Sequence, residues 1–497
     1  MSDPSLKRQA LSGMRWTISA RVLVQLITWP STIIVMRLLN PRDYGLVAVS
    51  TVFIEFMTVF SDPGLAAGLV QTQALRNETS RAASALIALL NLFLVSVLLL
   101  AAPSIAAWYH EPELAPVIRV ASLSLLLTAI ATVPQAHLVR NLRFREMALA
   151  LIASGLAGSL ATIGCAILGF GVWSLVLGSL LLSALRSIVI IAFNRSAVWP
   201  DFSKGFGPVR HLMHFSAHML GNRLLWYCSG SLDLIILGRM VQSTELGSYS
   251  VGANLAAIPG DKAMDAVNRV SFPTLSRLRS QPARFNYTYE RMLRMLALYG
   301  FLVAWGLAAV APEFVHVVLS DKWRFAVIPL AMLSIASPIR MLTSLQNTVN
   351  NAAGIPQAST KVLGLTCLVL PVGIVIGARV AGINGAAVSC VVVYAILFFV
   401  STFYTCRVTE RYMRDNLRLI LVPLVAGASM LTVTWALRAL LFLRLPTPVL
   451  LGVEIVAATG AFLGTVHVFG PAELSDARAL LGELLRPEKP RNSGIAS

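Results

Sequence analysis

The sequence predicts an all-α polytopic membrane protein of about 14 transmembrane helices, two six-helix lobes related by a parallel repeat plus two C-terminal helices. Three observations lead there: an apolar composition beyond the reach of a soluble domain, basic loops gathered on one side of the zigzag, and a match of the chain with itself. Of 497 residues, 56% are apolar and 13% charged, against about 45–50% and roughly 25% in soluble domains. A spanning helix uses about 20 apolar residues, so the chain holds enough for a dozen or more. The 40 Lys and Arg outnumber the 23 Asp and Glu, giving +17. In such a chain excess basic charge marks topology before it marks a nucleic-acid surface, and no nucleic-acid partner is expected.

A window of about 19 residues finds the spans in order. The first, 15–38, follows the charged start MSDPSLKRQALSGMRW. Its apolar run from Trp16 to Leu39 has no small-residue cleavage site, so it reads as a retained helix rather than a signal peptide. The second, 43–65, opens just after Pro41, a residue suited to a first helical turn. The third to sixth, 82–103, 114–137, 147–168 and 172–193, are strongly apolar, the last two joined by the minimal turn Gly169-Phe170-Gly171. The seventh and eighth, 214–238 and 246–268, lead to 292–311, 326–349, 361–380 and 384–405, with Ala381-Gly382-Ile383 between the last pair. Spans 417–440 and 447–469 complete the set. The second and eighth are weakened by Glu55, Asp62, Asp261 and Asp265, and are counted because omitting either breaks the sidedness of the loops.

With the N-terminus cytoplasmic, twenty Lys and Arg, among them Arg76, Arg140, Arg143, Arg277 and Arg411, fall on the inner side and seven on the outer. That positive-inside bias puts both termini in the cytoplasm. The longest connections, 194–213 and 269–291, are cytoplasmic, and the largest outer loop is 312–325. None has room for a catalytic domain. The five cysteines, Cys165, Cys228, Cys367, Cys390 and Cys406, show no metal-type spacing and read as bland buried thiols.

Shifted by 202 residues, RLLNPRDYG falls on RMVQSTELG, so that Arg21 meets Arg223, Arg37 meets Arg239, Asp43 meets Glu245 and Gly45 meets Gly247. The offset drifts to 210 where 116–123 meets 326–333, and to 213 where Gly169 meets Gly382. Ordered matches with slow drift indicate an internal repeat. The lobes are 1–195 and 205–406, followed by two extra helices and a tail, 407–497. An even number of spans per lobe makes the repeat parallel, about an axis along the membrane normal, a plan that places transporter substrates between halves near mid-membrane.

Ionisable groups at membrane depth cost about 2.5–3.5 kcal/mol each on insertion scales, so they are expected to face the bundle interior. Helical spacing sorts them into stripes. The first span carries Thr17, Arg21, Gln25 and Thr28; the second carries Thr51, Glu55, Thr58 and Asp62. The seventh carries Asn222, Trp226, Ser229 and Asp233 with Arg223 alongside; the eighth has Asn254, Asp261, Asp265 and Arg269; the tenth has Arg340, Ser344, Asn347 and Asn351. Arg21 and Arg223 are close enough to the cytoplasmic end to snorkel instead. Asp261, Asp265 and Arg269, spaced four apart, equally suit a structural ion-pair ladder. Glu55 and Asp233, well inside their spans, are candidates for coupling transport to protons or cations, with Asp62, Asp261 and Asp265 beside them. No phosphate loop or catalytic constellation is present, so no enzymatic activity, cofactor or metal is expected. His211, His214 and His218 share a helical face without a thiol or carboxylate nearby, and read as an interfacial polar face rather than a metal site.

The segments LLNPRDYGLVAVSTVF and DPGLAAGLVQ, the basic stretch LVRNLRFREM (138–147) and the turn GFGVWSLV (169–176), on a repeated fourteen-span plan, resemble the polysaccharide transporter family of lipid-linked oligosaccharide flippases. The similarity is greatest to the branch of colanic acid and xanthan-type exopolysaccharide exporters, and covers essentially the whole chain. The resemblance implies a bacterial inner membrane location. It also implies an undecaprenyl pyrophosphate oligosaccharide as substrate, moved from the cytoplasmic to the periplasmic leaflet by alternating access of two lobes. Membrane lipid and a polysaccharide polymerase with a chain-length regulator are the implied partners. Arg21, in ISARVLVQL, sits where a pyrophosphate-binding arginine would be expected, and a guanidinium binds phosphate oxygens in bidentate fashion. Two alternatives compete. A multidrug or cation antiporter of the same superfamily would favour an acidic, aromatic cavity, whereas arginines enter several spans here. A membrane polymerase or glycosyltransferase would need larger outer loops.

Overall fold

The computed structural model describes residues 4–62, 64–71, 76–194, 200–201, 207, 210–441 and 445–470. Among them the secondary structure is helical throughout, without strand. The long helices are α1 (Pro4–Leu38), α2 (Pro41–Ser61), α4 (Asn77–Tyr109), α5 (Leu114–Arg140), α6 (Phe144–Ile167), α7 (Val172–Phe193), α8 (Arg210–Met240), α9 (Ser243–Leu278), α10 (Pro282–Ala309), α12 (Val327–Ala352), α13 (Pro356–Thr409), α14 (Met413–Leu441) and α15 (Thr447–Phe469). Two short ones, α3 (Leu65–Gln71) and α11 (Ala311–Phe314), lie between them. Each expected span coincides with helix. Apolarity alone supports fewer crossings than fourteen: eleven helices among the described residues are long and apolar enough. The polar α8 and α9 fall short of that standard, and α13 counts once although Ala381 and Gly382 leave helical geometry at its centre. The chain is a multi-pass membrane protein.

Contacts divide it into two compact units, one of residues 1–251, 318–326 and 366–386, the other of 252–317, 327–365 and 387–497. In the first unit, the start of α2 follows from four residues. Pro41 fits the first turn, where its missing N–H costs nothing, and the Asp43 carboxylate accepts the Asn40 backbone N–H at 2.9 Å. Gly45 then lets the backbone approach α9: a Cβ there would lie 1.9 Å from the Ser243 carbonyl oxygen, and one on Gly247 would lie 1.8 Å from the Pro41 carbonyl oxygen. The contact is reciprocal between positions 202 residues apart in the internal repeat. A self-complementary contact of this kind is the signature of a two-fold axis, here running between α2 and the start of α9.

The same unit shows where the repeat's offset settles. Gly171 (φ 55°, ψ −129°) and Gly382 (φ 57°, ψ −139°) share a backbone conformation that only glycine adopts without strain. They are 211 residues apart, so Gly382 pairs with Gly171 and not with Gly169 as the sequence alignment has it. The stretch 315–326 forms a π turn and a 3-10 turn. Trp323 is fully buried there, its Nε1 donating to the Met36 carbonyl at 2.8 Å and its ring edge-on to Tyr44. Lys322 Nζ donates to the Arg37 carbonyl and Arg37 Nε to the Val318 carbonyl. Arg37 thus fastens the C-terminal end of α1 to this stretch.

In the second unit, α10, α12, α14 and α15 enclose an apolar core around Leu293, Phe301, Leu345, Met430 and Phe462. Beside it is a buried ion cluster. Arg438 Nε and Nη2 reach the two oxygens of Glu313 at 2.7 and 2.5 Å, and Nη2 also lies 2.9 Å from the Ala309 carbonyl and 3.5 Å from Glu454 Oε2. Glu313 and Glu454 are 3% and 0% exposed. Breaking a buried ion pair costs more than removing it whole. Arg438→Leu is therefore expected to destabilise the protein by about 3–5 kcal/mol, and the triple change with Glu313→Leu and Glu454→Leu to recover most of that loss. Thermal unfolding in detergent checks both.

Candidate functional site

In the first unit, the polar stripes of α2 and α8 meet at the C-terminal end of α2. Arg21 is exposed on α1 and Gln25, one turn along the same face, is half-buried. Exposed Val22, Leu26 and Trp29 flank them, so α1 keeps much of its circumference uncovered by protein. It packs on α6 at Val24, where a Cβ added to Gly155 would lie only 3.0 Å from Val24 Cγ1. On α2, Thr51, Glu55 and Thr58 are exposed and Asp62 half-buried. Asp62 ends α2 and starts α3, its Oδ1 accepting the Ala66 N–H at 3.2 Å. Arg223 on α8 donates through Nη1 to the Asp62 backbone oxygen at 2.7 Å, and Tyr227, one turn on, donates to the Val52 carbonyl. Arg223 is exposed and joined to the α2 terminus, whereas among the described residues Arg21 shows no such tie. Asp233 accepts the Tyr249 hydroxyl at 3.0 Å and its neighbour's N–H at Leu234. The side chains of Asn222, His211, His214 and His218 lie outside the described residues.

In the second unit, Asn254, Asp261, Asp265 and Arg269 are exposed along α9, and among the described residues no ion pair joins the last three. Arg340 on α12 is exposed, its guanidinium 5.1 Å from the centre of the Tyr394 ring. An aromatic face of this kind orients a guanidinium through a cation–π contact. Asn351 is exposed and Asn347 half-buried, its backbone oxygen accepting from Ser359. One residue round the helix, a face that sequence reasoning passed over is fully buried: Gln346 Nε2 donates to Thr402 at 2.8 Å, and Thr405 donates to Asn350 Oδ1 at 3.3 Å. These bonds join α12 to the second half of α13, as polar groups do between membrane helices.

Sequence reasoning also missed a cavity. It has a volume of about 480 Å³ and lies within the first unit, between the ends of α2 and α3 on one side and α5 with Ser183 of α7 on the other. Thr58, Ser61 and Asp62 face it from α2; Ser124, Thr128, Thr132 and Gln135 face it from α5. The four-residue spacing of Ser124, Thr128 and Thr132 was the available signal, concealed by the strongly apolar residues around it. The guanidiniums of Arg21, Arg223 and Arg340 offer charge-assisted hydrogen bonds to an anion, and the cavity offers hydroxyl oxygens and one carboxylate to a polar neutral group.

A family model described as "Polysaccharide biosynthesis protein" matches residues 34–328. The chain is 25% identical over 448 residues to "Lipopolysaccharide biosynthesis protein WzxC" of Escherichia coli, covering 88% of this chain and 89% of that one. It is 26% identical over 492 residues to "Succinoglycan biosynthesis transport protein ExoT" of Rhizobium meliloti, covering 96% and 95%. Among solved structures, the lipid II flippase MurJ in an inward closed conformation shares the fold with a TM-score of 0.70 at 14% identity, covering 95% of this chain and all of that one.

Proposed function

Because the chain belongs to the polysaccharide biosynthesis protein family, we propose that it is a flippase. Its substrate is an undecaprenyl pyrophosphate carrying an oligosaccharide repeat unit, moved from the cytoplasmic to the periplasmic leaflet of a bacterial inner membrane by alternating access of two lobes. The observation that carries the proposal is the set of exposed arginines on membrane-length helices, Arg21 on α1, Arg223 on α8 and Arg340 on α12. Cations placed at membrane depth are costly, and a diphosphate is a ligand that offsets that cost. Planar guanidiniums bind its oxygens in pairs, while the polyprenyl tail stays in the bilayer.

In this proposal Arg21 takes the pyrophosphate. Arg223, tied to the end of α2 in the first unit, and Arg340, over the Tyr394 ring in the second, are further anion-binding candidates. Gln25, Asn222, Asn254, Asn347 and Asn351 hydrogen-bond the sugars. Glu55, Asp62, Asp233, Asp261 and Asp265 are the acids available to couple transport to a proton or cation gradient. Both termini are cytoplasmic, and a polymerase with its chain-length regulator consumes the product on the far side.

Deletion of the gene tests the proposal: a lipid-linked oligosaccharide is expected to accumulate on the cytoplasmic face while polymer is lost. Normal polymer with altered drug tolerance in the deletion strain would instead identify an antiporter. A lesser effect is expected at Tyr394. Tyr394→Leu should lower transport by about three- to ten-fold, corresponding to about 0.5–1.5 kcal/mol for the lost ring, and Tyr394→Phe should restore it.

A further inference from the structure

We propose that the cavity between α2 and α5 is a sugar subsite, which seats a ring of the oligosaccharide while the pyrophosphate is held elsewhere; this rests on the flippase reading above. The chemistry of the wall sets the ligand class. Thr58 donates its hydroxyl hydrogen to the Ile54 carbonyl and Ser61 to that of Thr58. Thr128 donates to Ser124 and Leu125, and Thr132 to Thr128, all at 2.9–3.0 Å. With those hydrogens committed to backbone, the oxygens turn lone pairs to the cavity. Asp62 adds a carboxylate, and Gln135 contributes the amide donors.

A wall of acceptors with few donors selects a ligand rich in O–H groups. Leu125, Ala129 and Val139 supply apolar surface between the acceptors, matching the C–H face of a pyranose. Size separates this ligand from a bare ion. The volume of about 480 Å³ falls in the range of about 300–1,000 Å³ usual for small-molecule pockets, and a water-sized guest occupies only about 30 Å³. Location fits as well. The cavity lies toward the C-terminal ends of α2 and α5, which the charge bias of the loops assigns to the cytoplasmic side, where substrate is loaded.

The test uses the purified full-length protein and native mass spectrometry with two probes, undecaprenyl pyrophosphate and undecaprenyl pyrophosphate bearing one hexose, tried as glucose and galactose. The wild type is expected to bind a hexosyl probe about ten-fold more tightly than the bare one, a difference of about 1.4 kcal/mol. Thr128→Val combined with Thr132→Val replaces two acceptors by methyl groups of similar volume. It should abolish the preference, with the melting temperature near wild type. A folded double variant that keeps the preference overturns the proposal. So does one that keeps it while losing stabilisation by sodium chloride relative to choline chloride, since the cavity would then hold a cation. Equal binding of all probes by the wild type refutes the subsite and leaves the flippase reading standing. Binding of none refutes both.

Discussion

An Arg21→Ala variant is expected to reach the membrane at the wild-type level and to export no polymer. The side chain is exposed on α1, so its removal should cost little stability. Its loss from a charge-assisted pair with a diphosphate should cost about 2–5 kcal/mol of affinity, at the upper end more than a thousand-fold. Complementation of a deletion strain, scored for surface polymer, with immunoblotting of membranes for the protein, reads both quantities. Arg21→Lys separates charge from geometry: near-normal export would mean that a point charge suffices, and export near zero that the planar fork is needed. Normal polymer with Arg21→Ala would remove the arginine from the substrate site altogether. Arg223 gives a graded contrast. Its Nη1 bond to the Asp62 backbone oxygen means that Arg223→Ala also loosens the end of α2, so a lower melting temperature should accompany any loss of export.

The second large effect is expected at the two-fold contact. Gly45→Ala and Gly247→Ala each drive a methyl into a backbone carbonyl, 1.9 and 1.8 Å from the oxygen. Neither partner can swing aside as a long side chain would, so α2 and α9 must separate. A loss on the order of 3 kcal/mol or more is expected for each. Gly164→Ala on α6, where an added Cβ meets nothing within 4 Å, is the control. It should be neutral or slightly stabilising, since alanine is the better helix former. Melting curves in detergent measure all three. Because Gly45 and Gly247 occupy one contact, the double variant should cost less than the sum of the singles.

Sequence and structure agree most closely where a single helix decides the matter. Apolar runs predicted the helices because a backbone in hydrocarbon must satisfy its own hydrogen bonds. The motif NPRDYG announced the start of α2 because Pro41 and Asp43 act within one turn. The weak point was α8 and α9. Their acids and asparagines lower the hydropathy that a window measures, although both are long helices.

The site was legible in part. Charges such as Arg21 and Arg340 stand out in a sequence because each is conspicuous alone among apolar neighbours. Hydroxyls do not: Ser124, Thr128 and Thr132 are ordinary in membrane helices, and acquire meaning only when α2 brings Thr58 and Asp62 opposite them. Spacing placed Asn347 and Asn351 on one stripe, and could not show that the neighbouring stripe, Gln346 and Asn350, is the buried one.

By itself the sequence determined the all-helical membrane class, the repeat and the family resemblance, since each depends on composition or on local order along the chain. The tertiary structure alone decided which repeat-related residues touch, as Gly45 and Gly247 do, and that Gly171 is the true counterpart of Gly382. It alone paired Arg438 with Glu313 and Glu454, residues up to 141 positions apart, and opened a polar cavity between helices separated in sequence. The physical reason is common to all of these. Helix formation in a bilayer is settled within a few turns of chain, while a close approach or a cavity exists only once two helices have met.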